Sequence, residues 1–107
     1  MANLQQLQDK LEKGLYLENL YEMARLCQAL ASDTIYRVAF FVMREIFLDI
    51  ARGWDERAVP VEEAKRVEQQ MLEPIRDLIR GIDRQAADEV ILNLLNTVVS
   101  AYLVSSG

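Results

Sequence analysis

The chain has 107 residues, of which 51% are hydrophobic and 27% charged, with a net charge of −5. That balance excludes a disordered tail and leaves room for one small core. It also argues against sequence-independent nucleic-acid binding, which needs clustered cations against phosphate, since no basic run is longer than Lys65-Arg66.

Leu4, Leu7 and Leu11 set a helical stripe over residues 3–13, and Gly14 follows it, where a glycine commonly ends a helix. The stripe then changes phase. Tyr16, Leu20, Met23, Cys27 and Leu30 step by four, three, four and three, so a break falls at Gly14 and a second helix begins after it. Ser32-Asp33-Thr34 is a helix-start signal, because these side-chain oxygens accept free backbone N–H groups. The third helix is expected to run to about Arg52 and stop at Gly53. Its apolar face holds Ile35, Val38, Ala39, Val42, Met43, Ile46 and Ile50, flanked by Phe40 and Phe47.

Residues 53–60 read as a loop containing Trp54, and Pro60 suits the first turn of the next helix. That helix, 61–80, is cleanly amphipathic, and Pro74 is expected to kink or break it. Gly81-Ile82-Asp83 closes it, with Asp83 placed to cap a last helix that reaches Val104. The pattern gives an all-α fold, a compact helical bundle of four to five helices in a single domain spanning 1–107, and a dimer is expected.

The dimer expectation comes from the last helix, where no charged side chain follows Glu89 for the remaining 18 residues. Apolar residues cover most of its circumference, and the rest carries Asn93, Asn96, Thr97 and Ser100. A helix of this kind is normally buried on most sides. Either the other helices surround it, or a second chain covers it, and the second is the more economical reading for so small a bundle. The candidate contact residues are Asn93, Asn96, Thr97 and Ser100 on one face, and Leu94, Val98 and Tyr102 on the other. Sequence alone does not choose between the two faces. Phe41 and Leu48, seven residues apart on an otherwise charged side, join Trp54 as candidates for contact with another protein. Trp54 folded back over the core as a lid is the alternative.

Catalytic material is scarce. The chain has no histidine and one cysteine, which removes His-based acid–base chemistry, disulfides and Cys-rich zinc sites. Cys27 lies on an apolar stripe and reads as a buried, inert thiol, consistent with a cytoplasmic setting. The carboxylate pairs Glu18/Glu22 and Glu45/Asp49 read as solvated faces, and no Gly-rich phosphate loop is present. No cofactor or metal is expected. The N-terminal residues lack the pattern of a signal peptide, and the apolar stretch 90–104 is read as too short and too polar to span a membrane. The expected function is therefore non-enzymatic: a homodimeric adaptor, assembly factor or regulator that binds another protein. The alternative is a small-molecule binder or carboxylate-based metal enzyme, with its ligand among Phe40, Met43, Phe47 and Tyr102.

Overall fold

The computed structural model describes residues 2–31 and 36–106. These residues form five helices and no strand: α1 (Leu4–Glu12), α2 (Leu17–Ala31), α3 (Arg37–Glu56), α4 (Val61–Asp83) and α5 (Asp88–Ser106). The Ser32-Asp33-Thr34 start signal and Ile35 lie outside the described residues.

The start of α1 is fixed by a reciprocal cap. Asn3 Oδ1 accepts from the Gln6 N–H at 2.9 Å, and the Asn3 N–H donates to Gln6 Oε1 at 2.9 Å, so two backbone donors that begin the helix are satisfied. The break at Gly14 is present, with φ at +98°. A left-handed residue just past a helix normally lets the next N–H bond back to the last turn. Here side chains take over that role. Asn19 is buried and donates from Nδ2 to the carbonyls of Lys10 and Gly14, both at 2.7 Å. The Leu15 N–H instead donates to Glu68 Oε2 of α4 at 2.8 Å.

Gly53 does not stop α3, which continues to Glu56 and leaves only 57–60 as the connection to α4. Trp54 therefore sits in the last turn of a helix rather than in a loop, half-buried against the core. A glycine inside a helix costs about 1 kcal/mol relative to alanine, and the indole packed one residue later offsets it. At Pro74 the helix is not broken: α4 runs through it to Asp83. It also runs through Gly81, which is buried where α4 and α5 approach closely. A Cβ there would stand 2.7 Å from Leu94 Cδ1, so the glycine serves packing, not termination. The true end follows Asp83: Gln85, just past the Arg84 cap, adopts φ 56°, with its N–H bonded to the Ile82 carbonyl and the Ala86 N–H to the Gly81 carbonyl, each at 3.0 Å. Asp83 consequently belongs to α4 and does not cap α5.

The helices assemble as two antiparallel pairs. Arg44 Nε donates to Gln28 Oε1 at 3.1 Å, joining α3 to α2 near equivalent points either side of their connection. Gly81 against Ile91 and Leu94 does the same for α4 and α5. Between the pairs lies α1, whose Leu7 and Leu11 are buried. Arg76 of α4 binds Glu12 through two hydrogen bonds of 2.7 and 3.1 Å, while Lys10 pairs with Glu22 of α2. The shared core is built from Leu20, Met23, Met43, Phe47, Met71, Ile75, Leu78, Ile79 and Val98, all without exposed surface. The face α3 presents to it is rotated from the expected one. Phe40 and Phe47 are central, whereas Val38 is 63% exposed. Two phenyl rings bury more apolar area than the valine, and the helix turns to suit them.

Candidate interaction surface

The two faces of α5 separate cleanly. Ile91, Leu95 and Val98 are buried, with Leu94, Ala101 and Tyr102 half-buried beside them. Asn93, Asn96, Thr97 and Ser100 lie on the opposite side and are exposed. Of the two candidate contact sets, Leu94, Val98 and Tyr102 thus serve the chain's own core, and Val98 has no surface left for a partner. The polar set faces outward.

That outward side is more apolar than its polar strip alone. Leu92, Leu103 and Val104 are 57%, 61% and 70% exposed. At about 100° per residue, Leu92, Asn96, Val99 and Leu103 fall within one quadrant of the helix. Asn96 is among the contact candidates, but Leu92, Val99 and Leu103 are not, although the line's spacing of four, three and four carries the signal. The alternative in which neighbouring helices surround α5 does not hold. By length and composition α5, with 19 residues, is also long and apolar enough to cross a membrane, and 22% of its most apolar 18-residue stretch is buried within the chain. This corrects the reading of residues 90–104 as too short and too polar.

A groove separates α3 from α5. Its first cleft, of about 360 Å³, lies between the beginnings of both helices and is lined by Val38, Ala39, Ile91, Leu92 and Leu95, with Asp88 at its edge. The second, of about 390 Å³, lies further along, between the middle of α3 and the later half of α5, with Val42, Ile46, Val99 and Leu103 as its apolar lining. Residue numbers rise together along both helices from the first cleft to the second, so α3 and α5 run parallel along the groove. The second cleft also carries Phe41, Glu45, Asp49, Arg52 and Tyr102. The Tyr102 hydroxyl donates to Asp49 Oδ2, and Arg44 pairs with Glu45.

Phe41, Leu48 and Trp54 are not brought together. Phe41 is 56% exposed at the rim of the groove, Leu48 is half-buried against the core, and Trp54 points inward. Thirteen residues separate Phe41 from Trp54, which places them about 140° apart around α3. Phe40, Met43 and Phe47 are packed solid, whereas Tyr102 lies in the groove, so these four do not line a common ligand cavity.

Two further groups singled out by the sequence, Glu22 and Cys27, are held in the fold. Glu22 binds Lys10, whose hydrogen bond holds its carboxyl below the ordinary range. The Cys27 thiol is buried and pushed up to about 12 by that burial, so it is protonated at neutral pH. Among the described residues no three His, Cys, Asp or Glu side chains converge on a point that could hold a metal ion. No protein family, characterised protein or solved structure matches this chain.

Proposed function

We propose that this chain is a non-enzymatic interaction protein that works as a homodimer and binds another protein. One observation carries the reading: the outward side of α5 bears exposed Leu92, Leu103 and Val104 and has no charged side chain beyond Glu89. Water-facing helices of soluble proteins carry charge on their outer side, as α4 does here with Glu62, Lys65, Arg66 and Glu73. A large uncharged apolar strip marks a contact surface, and a surface with no charge of its own suits a second identical surface. Phe41, exposed at the groove rim, is the next candidate for contact with a different protein.

Light scattering coupled to size exclusion tests the reading. The expected mass is twice 12.3 kDa at micromolar concentration. Ser100→Lys places a charge in the strip and should weaken association without loss of helicity. A monomer at all concentrations, or a monomer that instead co-sediments with phosphatidylcholine vesicles through α5, overturns it.

A further inference from the structure

We infer that the groove between α3 and α5 is filled by α5 of a second copy of this chain, antiparallel to the first, with the two-fold axis at Asn96. The inference rests on the homodimer reading and gives its geometry.

Area is the first argument. A 19-residue helix is about 28 Å long and presents a strip about 10 Å wide. Two such strips laid face to face cover about 600 Å² in total by the same dimensions. A specific stable contact needs roughly 1,200 Å² or more. Contact between the two α5 helices alone is therefore too small. Seating each α5 in the groove of the other copy adds the α3 wall, including Val38 and Val42, and leaves Phe41 at the rim.

Charge fixes the direction. Arg52 is the one basic residue lining the two clefts, and it stands at the end where α3 and α5 finish. Glu45 and Asp49 beside it are engaged by Arg44 and by the Tyr102 hydroxyl, and Arg52 has no ion pair among the described residues. The only charges on α5 are Asp88 and Glu89, in its first turn. An antiparallel copy carries those carboxylates to Arg52, once at each end of the dimer. A parallel copy would gather four carboxylates at one end, where like charges repel.

Register follows from the outward line Leu92, Asn96, Val99 and Leu103. With the axis at Asn96, the second copy's Glu89 lies opposite Leu103 and beside Arg52. Asn96 then meets its own symmetry mate, where two amides satisfy each other and penalise any slip.

Two experiments test this seating. In the first, Arg52→Glu or Glu89→Arg alone should raise the dimer dissociation constant about tenfold, and the two together should restore it to within about threefold. Both residues are exposed, so circular dichroism should stay helical. In the second, Asn96→Cys should oxidise to a covalent dimer and Asn93→Cys should not. The Asn93 positions would be offset by about 9 Å along the helices, beyond the roughly 7 Å a disulfide spans, and buried Cys27 does not compete. A dimer in which the charge swap fails to restore affinity, or which cross-links at 93 rather than 96, overturns the seating and leaves the homodimer standing. A monomeric wild type overturns both.

Discussion

Glu68 of α4 accepts a 2.8 Å hydrogen bond from the backbone N–H of Leu15, 53 residues earlier in the chain. The carboxylate fits because Gly14 has no side chain. A Cβ on Gly14 would stand 2.9 Å from Glu68 Oε2, on a residue whose φ of +98° already disfavours any other amino acid. Gly14→Ala is therefore expected to lower stability by about 1–2 kcal/mol from the left-handed backbone, with the contact adding to it. Glu68→Ala should cost about 1–3 kcal/mol by stranding the N–H of buried Leu15. Because the two share one contact, the double variant should lose less than the sum in urea denaturation.

A gain is expected at the other helix end. Gln85 adopts φ 56° while its N–H and that of Ala86 close the α4 terminus. Glycine adopts this conformation without strain. Gln85→Gly should raise the urea midpoint, by about 1 kcal/mol of stability, and an unchanged or lower midpoint would contradict the assigned terminus.

The two phenylalanines of α3 offer a contrast. Phe47 is fully buried and Phe41 is 56% exposed. Phe47→Ala should cost about 3–5 kcal/mol, enough to leave a domain of this size partly unfolded. Phe41→Ala should change monomer stability by less than about 0.5 kcal/mol. Its effect should appear in association instead, which separates folding from binding within one helix.

Acid should loosen α1 first. Hydrogen bonds from Arg76, Lys10 and Arg57 hold the carboxyls of Glu12, Glu22 and Glu63 below the ordinary glutamate value of 4.5. Since the folded values lie below the unfolded one, the stabilisation is complete above about pH 4.5 and is lost as pH falls through the folded values. Glu12 sits on α1 and Glu22 binds Lys10 of α1, so two of the three pairs hold that helix. Glu12 is exposed and Glu22 and Glu63 are partly exposed, so the acid-induced drop in melting temperature should be small and should shrink further in about 0.5 M salt.

Much of this was legible from apolar spacing. The break at Gly14, the place of Pro60 and the amphipathic α4 follow from local rules. What the sequence hid depended on partners distant in the chain. Gly53 and Gly81 look like stop signals until Trp54 and Leu94 are seen packing beside them. Nothing in the apolar spacing marks Asn19, whose amide donates to the carbonyls of Lys10 and Gly14 at the break after α1. On α5 the uncharged composition was plain, but only the packing against α4 determined that Asn96 faces out and Val98 faces in.

The wedge formed by α1 has a consequence for the order of folding. Each antiparallel pair joins helices that are neighbours in sequence, so each can form with short loop closures and quickly. The Glu12–Arg76 contact closes a loop of 64 residues, a slower event that only the finished pairs can reward. Residues 4–12 should then be the last segment to dock and the first to open, giving their amides weaker protection from solvent exchange than those of Met71 or Leu78. A chaperone or protease acting on this protein would meet a detached N-terminal helix together with the apolar surface that Leu7 and Leu11 cover in the closed form.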